Sequence, residues 1–250
     1  MQKQHIQIAD SQQPQYDKLR RLEFGAEELA SAFMEKPVGI VCIDERARIG
    51  HKPVIGLAGT AVLMTDPQRE KFIANIREDG IDPSELEFTQ HESCGACGLY
   101  CKDHPENTPE EMAEKSAKHL AQLAGAKKPV TQIGWTSGCE HEAIGDSHAH
   151  HARVIYVDGT GRFNPAKLGL PDGFLLSVKF SPDWDYAKTE LAIAQSIAMG
   201  DHGLGKDYFK TNGPLLIVLV GDPLSLREKF AGSLDLYSGL AEVLELPYNG

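Results

Sequence analysis

Long apolar runs are missing from this sequence. No stretch approaches the roughly 18–20 consecutive apolar residues that a membrane helix needs, so no spanning helix is expected. Positive charge is scarce: 25 lysines and arginines stand against 36 aspartates and glutamates, for a formal net charge of −11. Nucleic-acid binding rests on cations that neutralise phosphates, so no nucleic-acid partner is expected. Cysteines number only five: Cys42, Cys94, Cys97, Cys101 and Cys139. An odd handful, behind an N-terminus (MQKQHIQIADSQQPQ) without the apolar centre of a signal peptide, does not make a disulfide framework. It fits a reducing, cytoplasmic setting. Internal repeats, low-complexity tracts and clear linkers are absent too. One domain is expected over residues 1–250, with an N-terminal helical arm (1–35) and an extended C-terminal α/β segment from about 166 to 250.

What is present is an alternation of short apolar runs with helical patterns. Apolar residues at helical spacing predict a helix over 16–35. Strands are expected at 38–42, 54–58, 86–89, 130–135, 152–157, 174–180 and 215–220, where β-branched and other apolar residues cluster. Asp66-Pro67 and the capping box Thr108-Pro-Glu-Glu111 open two helices, running to about Glu78 and Ala124. A short helix is expected from Gly95, a longer one over 185–199, a break at 200–205, and a final helix over 224–246, broken near Gly232. Asp158-Gly-Thr-Gly161 reads as a hairpin turn rather than a phosphate loop, because no helix N-terminus follows it. Strands alternating with helices predict an α/β fold: a mostly parallel β-sheet flanked by helices.

Two clusters carry chemistry. Cys42, Asp44 and Arg46 stand at alternate positions at the end of the first strand, so Cys42 and Asp44 point the same way. His91 and Cys94 follow a second strand. In parallel sheets functional groups gather beyond the carboxyl ends of strands, and both clusters lie there. Zinc takes thiolate, imidazole and carboxylate ligands in a tetrahedron, and a catalytic site keeps one position for water. Cys42, His91 and Cys94 supply three ligands; the fourth place falls to water, or to Asp44 if it swings in. Arg46 can hold Asp44 in a two-pronged ion pair and keep it off the metal. Zinc, Asp44 and Arg46 then form a unit for making and aiming hydroxide.

These residues resemble the β-class carbonic anhydrases. The match is Cys42, Asp44 and Arg46, then His91, Cys94 and Gly95, with Ala58-Gly59 where that family has an Ala-Gly turn after its second strand. It covers roughly residues 25–165. The resemblance implies an α/β fold around a mostly parallel sheet and an obligate homo-oligomer, a dimer or tetramer, with the 16–35 helix packed across a partner. It implies Zn2+ held by Cys42, His91 and Cys94, Asp44–Arg46 as catalytic dyad, and reversible hydration of carbon dioxide to bicarbonate. The chain departs from the family at Gln90, where Gly is usual, at Glu35, near the place of a pocket Gln, and at Gly56-Leu57, where Arg-Asn is usual. Sibling enzymes with the same metal site hydrolyse carbonyl sulfide or carbon disulfide. A relative that keeps zinc for structure and binds partners is the non-enzymatic alternative.

Other features have plainer readings. Cys94, Cys97 and Cys101 fall on one helical face, as a redox pair or second metal site would require, but burial as small apolar side chains is the simpler account. Cys139, His141 and the cluster His148, His150 and His151 could bind a second metal or carry protons. A solvated loop is the expectation there. Asp44–Arg46 would, without a metal, be a structural ion pair at a strand end.

Overall fold

The computed structural model of the chain describes residues 13–133 and 150–248. Strands β1 (Gly39–Val41), β2 (Ile55–Gly56), β3 (Glu87–His91) and β4 (Thr131–Ile133) form one sheet of four strands in the order β2-β1-β3-β4. Strands β5 (Val154–Asp158), β6 (Phe174–Leu176), β7 (Leu215–Gly221) and β8 (Ala241–Pro247) form a second in the order β6-β5-β7-β8. Every ladder is parallel. Parallel neighbours need crossover connections, and most of these are helical. The helices are α1 (Gln13–Arg21), α2 (Ala26–Ser31), α3 (Asp66–Glu78), α4 (Gly95–Asp103), α5 (Pro109–Ala124), α6 (Trp184–Met199), α7 (Gly205–Thr211) and α8 (Pro223–Lys229). This is the expected α/β architecture, built from two sheets.

Helices α3 and α5 begin where their start signals lie. Thr108 Oγ1 accepts from the Glu111 N–H at 3.2 Å, and the Glu111 carboxylate accepts from the Thr108 N–H at 3.2 Å. Phe72, Ile73 and Ile76 turn one face of α3 into a core that also holds Phe88 of β3 and Leu120 of α5.

The two sheets meet at β2 and β6. Leu175 N–H donates to the Ile43 carbonyl at 3.0 Å; Gly56 N–H donates to Ser177 Oγ at 3.0 Å, and Ser177 N–H to the Gly56 carbonyl at 3.2 Å. A Cβ at Gly56 would collide with the Leu175 carbonyl, so the seam requires glycine. The C-terminal segment is therefore built into the frame of the first sheet. One core cluster joins Val41, Cys42 and Cys94 to Phe174, Leu191 and Val218.

Several expectations need correction. The stretch 224–246 is not one helix: α8 ends at Lys229, and Ala241–Pro247 is strand β8. Gly232 and Gly239 adopt φ of 81° and 83°, which ends helical propagation. β7 is buried at every residue, and its backbone must be paired on both edges. β8 supplies one edge in register from Leu215↔Ala241 to Gly221↔Pro247. Glu242 and Glu245 keep it an outer strand through ion pairs with Arg20 and Arg227.

The turn at 158–161 is not a hairpin, because β5 and β6 run parallel. The Asp158 carboxylate instead accepts from Thr160 N–H, Thr160 Oγ1–H and Phe163 N–H, closing a local turn at the start of a crossover. The strand expected over 174–180 stops at Leu176 and becomes a 3-10 turn, Val178–Phe180. The helix expected over 16–35 is split at Leu22, whose φ is 48°. Tyr16 and Leu19 of α1 are spent on the chain's own core. Residues 205–211, beyond the expected break, form α7. Among the described residues no helix is long and apolar enough to cross a membrane.

Candidate metal centre

Cys42 follows β1 directly, and His91 is the last residue of the adjacent β3. Cys94 is the residue before α4. Between them Ser93 takes a left-handed conformation, φ 51°, a strained choice for serine that folds Cys94 back beside His91. The sulfurs of Cys42 and Cys94 lie 3.8 Å apart. They and a His91 ring nitrogen fall within 4.8 Å of one another, all buried, as a group able to hold a metal ion. His91 Nδ1 sits 2.8 Å from the Glu92 carbonyl. A carbonyl only accepts, so Nδ1 carries the proton and Nε2 is the nitrogen left to offer a lone pair, the usual outer support for a metal-binding imidazole.

Electrostatics favour a cation at this point. The contact with Cys94 and then burial push the Cys42 thiol well above its ordinary pKa, since two thiolates this close repel. Cys94 is also raised: Cys42 favours its ionisation, but Cys97 and burial outweigh that. Burial lowers His91, but the Cys42 sulfur and Asp44 push it up to about 9. A divalent ion reverses this logic and stabilises both thiolates. Gly59, at φ 51° in the Ala58-Gly59 turn, places its N–H 3.4 Å from Cys42 Sγ, a further donor to a thiolate.

Asp44 is the next group outward. Arg46 grips it from two sides: Nε donates to Oδ1 at 2.8 Å and Nη2 to Oδ2 at 2.6 Å, while Arg46 N–H reaches Oδ1 at 2.9 Å. Asp44 Oδ2 lies 3.9 Å from His91 Nε2, at the margin of the donor cluster. Burial pushes the Asp44 pKa up, but Arg46, His150 and His91 together hold it well below the usual carboxylate range. Asp44 is therefore ionised and can only accept hydrogen bonds.

Two residues complete the network from positions the spacing argument passed over. Arg46 Nη2 is 3.2 Å from His150 Nε2, and His150 Nδ1 is 2.9 Å from Glu45 Oε2. Burial raises Glu45, but His150 brings it down to about 2, with Arg46 helping. The expectation of a solvated loop for His150 and His151 is corrected: they are 4% and 6% exposed. Glu45 lies inside the Cys-x-Asp-x-Arg motif as a spacer whose own role had no signal at that spacing. Cys97 is buried as expected, whereas Cys101 is only half-buried. Cys139, His141 and His148 lie outside the described residues.

The C-terminal segment supplies walls and supports. Glu190 of α6 accepts the Ala58 N–H at 2.6 Å, holding the turn whose Gly59 faces Cys42. Burial pushes Glu190 up to about 8, despite the lowering effect of Ala58 N–H and Tyr186. A cavity of about 10 Å³ touches Cys42 and Asp44 and is otherwise walled mainly by Ile43, Ala96, Phe174, Ile193 and Ile197. A wider cleft of about 590 Å³ reaches Cys94 and His150 from the side of α4 and α6. The predicted residues Cys42, Asp44, Arg46, His91 and Cys94 are thus all together; Glu45, His150 and Glu190 join them.

Compared with protein-family models, curated proteins and solved structures, the chain matches none.

Proposed function

We propose that this chain is a zinc enzyme that reversibly hydrates carbon dioxide to bicarbonate. The observation that carries the reading is the buried Asp44–Arg46 pair set against the Cys42–His91–Cys94 donors. A purely structural zinc site closes its coordination with four protein ligands; here three soft or borderline donors converge and the nearest carboxylate is held aside. The donor set suits zinc, and the sulfur separation of 3.8 Å fits it. Two bonds of roughly 2.3 Å at the tetrahedral angle place sulfurs about 3.8 Å apart.

Zinc bound here would supply a Lewis acid that acidifies coordinated water, moderated by the charge of two thiolates. The chain's own residues do the rest. Asp44, kept ionised, has lone pairs free of Arg46 and can accept a water proton in a hydrogen bond, which orients the water. Arg46 prevents Asp44 from joining the donors. Ile43, Ala96, Phe174, Ile193 and Ile197 exclude bulk water and favour a small apolar guest. The cavity beside Cys42 and Asp44 is only about 10 Å³, room for about one water-sized molecule, which supports a very small substrate. Carbonyl sulfide and carbon disulfide, also small and apolar, are the alternative substrates for the same donor set. The resemblance also supports a homodimer or tetramer, while the odd cysteine count supports a reducing cytoplasm and the net charge of −11 argues against a nucleic-acid partner.

The test is stopped-flow hydration of carbon dioxide by zinc-loaded protein, with carbonyl sulfide and carbon disulfide hydrolysis measured in parallel. Hydration at enzymatic rates supports the reading. Activity on the sulfur compounds alone moves the substrate, and full zinc with neither activity makes the site structural.

A further inference from the structure

The five-residue constellation explains Arg46 only halfway. Residues 43–50 contain neither helix nor strand, so the local backbone does not dictate where the Arg46 side chain points. Asp44 meets it from two residues away, and His150 reaches it from 104 residues along the chain. Arg46 Nη2 carries two hydrogens: one goes to Asp44 Oδ2 at 2.6 Å, and the other faces His150 Nε2 at 3.2 Å. A guanidinium is an obligate donor, so Nε2 must accept and the proton of this ring sits on Nδ1. Nδ1 donates to Glu45 Oε2 at 2.9 Å, and Glu45 Oε1 accepts the His151 N–H at 3.2 Å.

Asp44 and Glu45 are balanced within the same loop by Arg46 and Arg48, all buried. Arg48 is committed to the carbonyls of Asp44, Ala47 and Gly173, which ties the loop to the second sheet. His150 is itself fixed: its ring stacks on Phe174 with centroids 5.4 Å apart, and its N–H donates to the His202 carbonyl at 2.7 Å. The order of support is Glu45 on His150, His150 on Arg46, Arg46 on Asp44.

We propose that Glu45 and His150 are positioning residues that lock Arg46 onto Asp44 and so keep the Asp44 carboxylate from becoming a metal ligand. The inference rests on the metal-centre reading above but not on the identity of the substrate. Without the His150 acceptor, one Nη2 hydrogen is left facing an apolar ring, and the grip of Arg46 on Asp44 loses a support that comes from outside the loop. Asp44 Oδ2, already 3.9 Å from His91 Nε2, is then close enough to join the donors.

The experiment replaces the native metal by cobalt(II) and titrates with sodium thiocyanate, read in the visible d–d spectrum. The proteins are wild type, His150→Phe, Glu45→Gln, Asp44→Ala, and each of the first two variants combined with Asp44→Ala. Phenylalanine keeps the ring on Phe174 but can neither accept nor donate. Glutamine keeps the volume of Glu45 but cannot accept at both ends. Wild type is expected to take one cobalt and shift its spectrum on thiocyanate binding. Both single variants should keep the cobalt and lose thiocyanate affinity at least tenfold. Adding Asp44→Ala should restore the affinity to that of Asp44→Ala alone, which a general loosening of the scaffold would not do. Unchanged affinity in the single variants, a loss that Asp44→Ala does not restore, no thiocyanate shift in wild type, or failure of both variants to hold cobalt would each overturn the proposal. No cobalt in wild type overturns the metal-centre reading as well. Absence of carbon dioxide hydration by wild type sinks only the hydratase reading, since the spectrum still reports where Asp44 is.

Discussion

The sulfurs of Cys42 and Cys94 lie 3.8 Å apart although 52 residues separate them in the chain. Both are buried at the ends of neighbouring strands, where repulsion between two thiolates must be neutralised by protons or by a cation. One zinc per chain is expected, by the ligand count of a three-donor site. Elemental analysis of wild type and Cys94→Ala checks it: the variant should lose the metal, and full retention would mean that the donors are elsewhere.

Arg46→Ala is expected to keep its zinc and lose hydration activity roughly a hundredfold or more, within the range of a positioned proton-handling group. Arg46→Lys should recover little of it, because a point charge cannot reproduce the two-pronged grip of Nε and Nη2 on Asp44. Asp44→Asn should likewise keep zinc and lose activity. Hydration rates measured beside zinc content decide the matter; near-wild-type rates in all three would remove the pair from the mechanism.

Glu190 gives a pH dependence of stability. Its carboxyl titrates near 8 in the folded protein against an ordinary value of 4.5, because it is buried. The folded state therefore binds more protons than the unfolded state between these values, and stability falls as pH rises from about 4.5 to about 8. The full difference corresponds to roughly 5 kcal/mol. Glu190→Gln keeps an acceptor for Ala58 N–H and carries no charge. Its melting temperature relative to wild type should rise steadily from pH 5 to pH 8. Parallel melting curves across that range would show that Glu190 does not titrate there.

Gly56→Ala tests the seam between the sheets. The added methyl would press on the Leu175 carbonyl, which is backbone and cannot turn aside. Overpacking of this kind costs about 3 kcal/mol, or roughly 6–12 °C in melting temperature for a chain of this size. Thermal unfolding followed by circular dichroism measures it; a loss under 2 °C would show that the seam can part without cost.

Most of the site was legible in the sequence because its residues are of rare chemical type at telling spacings. Thiol, carboxylate and guanidinium at alternate positions, and imidazole and thiol three apart, specify donors whatever surrounds them. Helices α3 and α5 were legible for a similar reason: proline and capping residues act within one turn of chain. Glu45, and the place of His150 behind Arg46, were not legible. Each is an ordinary residue until the chain brings them 2.9 Å apart across a separation of 105 residues.

The fate of 224–246 shows the other side. Its leucines and glutamates satisfy a helical pattern nearly as well as a strand, and local propensity cannot choose between them. The open edge of β7 chooses, since seven buried residues there must pair their backbone groups. The sequence by itself determined the α/β alternation, the starts of α3 and α5 and the five residues of the candidate metal centre, because these depend on local sterics and side-chain chemistry. Only the tertiary structure decided that there are two sheets, that β8 is a strand, that Glu190 and Phe174 reach back to the site, and that His150 stands behind Arg46. Those outcomes depend on which distant backbone edges and buried charges must be satisfied together, a condition that exists only once the chain has folded.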